Sequence, residues 1–334
     1  MENFIKYVNI HNFKSIADLK LEDCRRINLF IGYPNVGKSN VLEALGLSNI
    51  LFLDTGENLK KIIRIENKND LFYNSSEKTC SVETNIEIIQ YNSELQFKIF
   101  RETYDEILCQ FSKKLDLEFN NFEPHGEFYD CSDIGIVLRY VFNSRNKWIS
   151  IGDEFLLPPF GENIIDTLSY SDDVSEVKSW MKQELTKYGL EYVLDKSSDS
   201  LKVQRRLGGN DVVQLPYSSI ADTLQRVIFF KTAIASNKNS VLLFEEPEAH
   251  AFPPYIQTIM QDIIDAESNQ FFIVTHSPLV VNAFLEYEKT RKETSIYVFD
   301  FKDNQTTAKR LSDEEMELAY EYGDDIFFNL ENLL

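Results

Sequence analysis

Basic residues are scarce in this sequence. Across 334 residues, Lys and Arg number 34 against 54 Asp and Glu, a formal net charge of −20. A chain this acidic repels itself in solution and offers no general field for a nucleic-acid backbone. One local exception is Lys60-Lys61-Ile62-Ile63-Arg64, although a cluster that short is more often a solvated face. Cysteine is scarce too. Cys24, Cys80, Cys109 and Cys131 form no C-x-x-C pair, which argues against a zinc site or disulfide frame and suits free thiols in a reducing cytosol. The histidines (His11, His125, His250 and His276) share no metal-ligand spacing. Long apolar runs are missing: Val227-Ile228-Phe229-Phe230 falls far short of the ~20 residues a membrane helix needs. Met1-Glu2-Asn3-Phe4 has neither a basic nor an apolar signal region, so a cytoplasmic protein is expected. No heptad pattern is sustained, which excludes a long coiled-coil arm.

What is present begins with Gly32-Tyr33-Pro34-Asn35-Val36-Gly37-Lys38-Ser39, a G-x-x-x-x-G-K-[ST] run. Such a loop turns backbone N–H groups onto a phosphate, and glycine allows the required dihedrals. Lys38 supplies a point charge for the β- and γ-phosphates, and Ser39 a hydroxyl for Mg²⁺. Asn35, Gly37 and Asn40 complete the candidate nucleotide-binding set. The context agrees: Ile27–Ile31 alternates as a buried strand, and Asn40–Leu45 has helical apolar spacing.

Along the chain, residues 4–31 read as short strands forming an antiparallel hairpin, and 81–101 as a second hairpin turning at Tyr91-Asn92-Ser93-Glu94. Residues 51–80 are polar and carry no clear pattern. Residues 102–200 are read as a compact, mostly helical insertion, with Val174, Val177, Met181 and Leu185 on one helical face. Residues 201–206 return as a strand. Buried strands are then expected at 241–244, 271–274 and 295–299, alternating with helices at 255–266 and 279–285, and a helical tail at 313–322 closes the chain. This pattern predicts an α/β fold with a mainly parallel sheet. The expected domains are 1–101, a helical insertion at 102–200, and 201–334.

Two strand ends carry further chemistry. Val241-Leu242-Leu243-Phe244 runs into Glu245-Glu246. A buried strand can fix the first carboxylate near Mg²⁺ and aim the second at the attacking water, although acids also end strands simply because the loop meets solvent. Phe271–Val274 runs into Thr275-His276-Ser277-Pro278. That places His276 at the sheet edge where ligands of open α/β sheets bind, unless it is only a capping or core histidine. Glu246, His276 and Lys38 are therefore the candidate catalytic residues, with Ser39 and Glu245 on the metal.

Val8-Asn9-Ile10-His11-Asn12-Phe13-Lys14-Ser15-Ile16, the P-loop, Glu245-Glu246-Pro247-Glu248-Ala249-His250 and Thr275-His276-Ser277-Pro278 occur in one order. In this order the chain resembles the ABC-type ATPase heads of the SMC and OLD-like families, in particular stand-alone bacterial AAA-type ATP-binding proteins. The resemblance implies a P-loop NTPase that uses ATP and Mg²⁺ and forms a head-to-tail homodimer around two nucleotides. It makes Glu246 the base and His276 the histidine that senses the γ-phosphate. Glu245 stands where the family more often has aspartate, one methylene shorter. The family's signature loop matches Leu215–Arg226, with Ser218 or Ser219 as the contact serine and Ala221 and Thr223 where glycines are common; read without the family, the same stretch is a capped helix start. Gln90 is a weak match for the family's glutamine loop.

Many such relatives serve bacterial defence against phage beside a separate nuclease or toxin. The metal-binding acids of the OLD-type Toprim domain have no counterpart here, Asp324-Asp325 reading as a solvated turn, so an effector is expected on another polypeptide. A DNA-repair ATPase of the SMC kind and an ATP-binding scaffold with little turnover are the alternatives. A transporter ATPase fits less well.

Overall fold

The computed structural model describes residues 4–52, 60, 63–73, 79–92, 96–103, 106–114, 137–144, 154–195, 198, 200–208, 211–321 and 326–334. The chain divides into two compact units, one of residues 1–139, 239–246 and 268–334, the other of 140–238 and 247–267.

In the first unit, β1 (Val8–Phe13) and β2 (Ile16–Leu21) form the expected hairpin. It is extended by β4 (Thr79–Thr84), β5 (Glu87–Asn92), β6 (Gln96–Thr103) and β7 (Glu106–Lys114) into a six-stranded antiparallel sheet of order β2-β1-β4-β5-β6-β7. The turn expected at 91–94 lies partly outside the described residues, as do Lys61 and Ile62; Asp324-Asp325 lies wholly outside them.

A second six-stranded sheet carries the motifs. It uses β3 (Ile27–Gly32), β8 (Val137–Tyr140), β12 (Val241–Glu245), β13 (Gln270–Val274), β14 (Thr294–Lys302) and β15 (Gln305–Arg310) in the order β15-β14-β3-β13-β12-β8. The pairs β14–β3, β3–β13 and β13–β12 are parallel, and β15 is antiparallel to β14. The central strands are buried on both faces, which is why they read as unbroken apolar runs. Phe30 meets Phe272, Tyr297 and Phe299 edge-on at centroid distances of 5.0–5.9 Å, each such ring contributing about 1.5–3 kcal/mol by burial. Helix α1 (Lys38–Leu45) packs on β3, β12 and β13.

The second unit holds α2 (Ile164–Tyr170), α3 (Ser175–Thr186), a three-stranded sheet of order β11-β10-β9, α4 (Asp222–Ser236) and α5 (Pro253–Asp265). The strands are β9 (Glu191–Asp195), β10 (Ser200–Gly208) and β11 (Asp211–Pro216). The first unit adds α6 (Pro278–Leu285), α7 (Glu288–Lys292) and α8 (Asp313–Glu321).

Two expectations are corrected. Among its described residues, the stretch 102–200 is not mostly helical. There β7, β8 and β9 accompany α2 and α3; β7 pairs antiparallel with β6, so 106–114 continues the antiparallel sheet. The compact units also divide the chain at 139/140, 238/239, 246/247 and 267/268 rather than at 101 and 200. Among the described residues, no helix is long and apolar enough to cross a membrane.

Candidate nucleotide and metal site

Register brings the motifs together. Phe30 of β3 stands beside Val274 of β13, and Val274 beside Glu245 of β12. The chain leaves all three strands at one sheet edge, into the P-loop, Glu246 and Thr275-His276. The edge is tied by Glu246 N–H donating to the Val274 carbonyl at 2.9 Å and Thr275 N–H to the Phe30 carbonyl at 3.2 Å.

The loop requires its glycines. Gly32 has φ +146°, and a Cβ there would lie 2.5 Å from the Phe299 carbonyl oxygen. Gly37 has φ +98°, and a Cβ would lie 2.8 Å from Ser15 Oγ and run into Thr306 Oγ1. Asn35 sits at φ 64°, a left-handed position asparagine tolerates. No side chain caps the amino end of α1, which leaves its positive end to an anion. Lys38 is buried, and its Nζ donates to the carbonyls of Gly32 at 2.9 Å and Tyr33 at 2.7 Å. Burial lowers its pKa to about 8 against the opposing pull of Glu246. Two neutral acceptors compensate a buried charge poorly, so a phosphate is the better partner. Asn40, expected on the nucleotide, donates its side-chain amide to Ser15 Oγ at 2.7 Å, and Ser15 Oγ lies 2.6 Å from Thr306 Oγ1. That chain braces the P-loop against the β1–β2 turn and the β14–β15 hairpin.

The two acids face different surroundings. Glu245 Oε2 accepts from Arg139 Nη2 at 2.9 Å and Oε1 from Arg64 Nη2 at 3.1 Å, while the Ser39 hydroxyl donates to the same carboxylate. Burial would raise the Glu245 pKa, but Arg139, Ser39 and Arg64 outweigh it and hold it below the usual carboxylate value. Behind it lies Glu43 of α1, fully buried, receiving Arg64 Nε at 2.9 Å and the Lys14 amine. Glu246 stands at φ 44°, an unusual backbone for a non-glycine residue. Its Oε1 lies 3.6 Å from His276 Nε2, both side chains partly exposed. Partial burial and the Lys38 charge lower the His276 pKa, with Glu246 opposing, which favours the neutral ring.

Lys38, Ser39, Glu245, Glu246 and His276 thus share one edge of the first unit. Sequence reasoning did not find Lys14, Glu43 and Arg139, and it left Arg64 as a candidate solvated face; Lys60 is exposed. Ser218 and Ser219 belong to the second unit, exposed in the single turn Tyr217–Ser219 before α4. Ala221 is the N-cap of α4 and makes no side-chain cap, while Thr223 Oγ1 donates to the His250 carbonyl at 2.7 Å. Ser218 also lines a cavity of about 700 Å³ with Lys202, Gln214 and Tyr217. Gln90 is exposed in mid-β5, paired with Ser81 and Lys98 of the antiparallel sheet.

Among the described residues, no group of three or more His, Cys, Asp or Glu could hold a metal. Mg²⁺ commonly takes only one or two protein oxygens, with phosphate and water completing its shell. The Ser39 hydroxyl and the Glu245 carboxylate, joined by a hydrogen bond, are a hard-oxygen pair that could hold such an ion.

Residues 177–282, about a third of the chain, match the family model described as "AAA domain, putative AbiEii toxin, Type IV TA system". An "ATP/GTP phosphatase" of Helicobacter pylori is 21% identical over 97% of this chain and 100% of its own length. The "DNA replication and repair protein RecF" of Clostridium kluyveri is 27% identical over 99 residues, 30% of this chain and 24% of RecF. Among solved structures, an Smc head domain with an extended coiled coil, bound to the C-terminal domain of ScpA from Pyrococcus furiosus, superposes with TM-score 0.56 at 12% identity, covering 96% of this chain and all of that one. Its fold is therefore that of an Smc head.

Proposed function

We propose that this chain, an ATPase of the SMC- and RecF-like AAA family, is a nucleotide-gated switch subunit. It binds ATP with Mg²⁺ in the first unit, closes a homodimer around the nucleotide, and reopens after hydrolysis. The observation that carries this reading is the convergence of Lys38, Ser39, Glu245, Glu246 and His276 at one sheet edge.

In this reading Lys38 exchanges the Gly32 and Tyr33 carbonyls for the β- and γ-phosphates. Glu246 takes the proton of the attacking water, and neutral His276 hydrogen-bonds the γ-phosphate or that water. Ser39 and Glu245 hold Mg²⁺, which when bound neutralises charge developing on the phosphates. Ser218 and Ser219 are what a second copy offers to the γ-phosphate. The switch acts on a separate effector, such as a nuclease or toxin, in cytoplasmic defence against phage. The toxin–antitoxin wording of the family description and the ScpA partner of the Smc head support a separate partner.

Light scattering tests the switch. Glu246→Gln with ATP and Mg²⁺ should have twice the mass of the nucleotide-free protein, and Lys38→Ala should show no change on adding nucleotide. An unchanged mass for Glu246→Gln contradicts the dimer. The RecF likeness supports a second reading, a DNA-repair ATPase, which the net charge of −20 disfavours. DNA affinity falling steeply with salt would support it. The glutamate at 245 and alanine at 221 keep a third, a scaffold with little turnover; wild-type ATP turnover no faster than that of Glu246→Gln would favour it.

A further inference from the structure

Both oxygens of Glu245 are taken by guanidinium groups, yet the two arginines differ. Arg139 is 3% exposed on β8, whereas the Arg64 side chain is 64% exposed. Arg64 also has a second anchor, its Nε on Glu43. Glu43 in turn receives the Lys14 amine and so keeps a cation if Arg64 turns away. Lys14, Arg64 and Arg139 set three positive charges against the two carboxylates Glu43 and Glu245. A divalent ion added to that arrangement raises an existing positive excess. It also needs a closely fitted octahedron of oxygens, which Glu245 cannot complete while a guanidinium covers each of its oxygens.

We propose that Arg64 is a resident counter-cation for Glu245, displaced when the divalent ion arrives with nucleotide, while Arg139 stays and orients the carboxylate. This rests on the Mg²⁺–nucleotide reading above. Arg64 is then a positioning residue that weakens metal binding: it holds the carboxylate ionised and aimed in the empty site, and the ion must compete with it. The exchange is possible because Arg64 is exposed and keeps Glu43 as a second anchor, whereas Arg139 is buried.

The test titrates Mg²⁺ against protein held with a fluorescent ADP analogue, and compares analogue affinity in Mg²⁺ with that in EDTA. Arg64→Gln should bind the analogue with a Mg²⁺/EDTA affinity ratio at least about threefold above wild type, and its Mg²⁺ midpoint should fall by a similar factor, as expected for removal of one like charge beside the ion. Arg64→Lys, which keeps a charge for Glu43 but loses the two-carboxylate reach, should fall between them and serves if Arg64→Gln folds poorly. Lys60→Gln removes an exposed charge elsewhere and should leave the midpoint in place. An unchanged or higher midpoint in both Arg64 variants overturns the exchange. The same shift in Lys60→Gln overturns it too, by showing a general field effect. A wild type whose analogue affinity is the same in Mg²⁺ and EDTA overturns the metal reading beneath it.

Discussion

Glu245 and Glu246 are neighbours with the same side chain, yet they stand in opposite environments. On the Glu245 side the carboxylate is mostly buried and gripped by Arg139, Arg64 and the Ser39 hydroxyl, with the fully buried Glu43 behind. On the Glu246 side the backbone turns through φ 44° and the carboxylate faces a loose, half-exposed imidazole 3.6 Å away and the charge of Lys38. The first arrangement suits a group that must hold still, since a buried carboxylate with fixed donors keeps its charge and direction. The second suits a group that must exchange a proton with water, which needs access more than rigidity. The boundary between them falls at the end of β12, where a strand fixed on both sides gives way to a turn.

That contrast makes substitutions on the two sides fail differently. The largest stability effect belongs to the gripped side: Arg139→Met leaves a buried charge without its buried partner and should cost about 3 kcal/mol, read from urea unfolding midpoints. A midpoint within experimental scatter of wild type would mean that the pair is not holding Glu245. On the open side, His276→Ala should change stability by less than about 0.5 kcal/mol while slowing ATP turnover about tenfold or more. A stability loss as large as that of Arg139→Met would erase the distinction. The smallest effect is protonic. Below pH 8 Lys38 carries its charge with or without nucleotide. Above it the empty protein holds the amine neutral, because burial has brought its pKa down to about 8. A triphosphate favours the charged form, so binding near pH 9 should take up a fraction of a proton, and binding near pH 6.5 should take up none at this group. Calorimetry in two buffers of different ionisation enthalpy reads this directly.

The parts legible in the sequence are those whose signal is local. The P-loop, Glu245-Glu246 and His276 each sit at the end of a short apolar strand, and a doubly buried strand announces itself by composition alone. The parallel sheet followed from the alternation of such strands with helices. What was not legible joins distant residues. Arg64 and Glu245 are 181 positions apart and Arg139 and Glu245 106 apart, and nothing near either arginine marks its partner. Arg64 in particular looked like part of a solvated basic run. Strand β11 was missed because all six of its residues are exposed, which removes the alternation that marks a half-buried strand. β15 was missed because Gln305-Thr306-Thr307 is polar, yet Thr306 is fully buried against Ser15, beside the P-loop glycine. Asn40 shows the converse: a motif position assigned to the ligand turns its side chain to the loop's own support.

The division of labour between the adjacent acids is tested most directly by comparing Glu245→Gln and Glu246→Gln for nucleotide affinity with and without Mg²⁺ and for turnover. Glu246→Gln should keep wild-type Mg²⁺-dependent ATP binding while turnover falls by about 10²–10⁴, whereas Glu245→Gln should lose the Mg²⁺ dependence of binding itself. If the two variants lose binding and turnover in the same proportions, the two carboxylates do not have separate tasks and the account of the site is wrong.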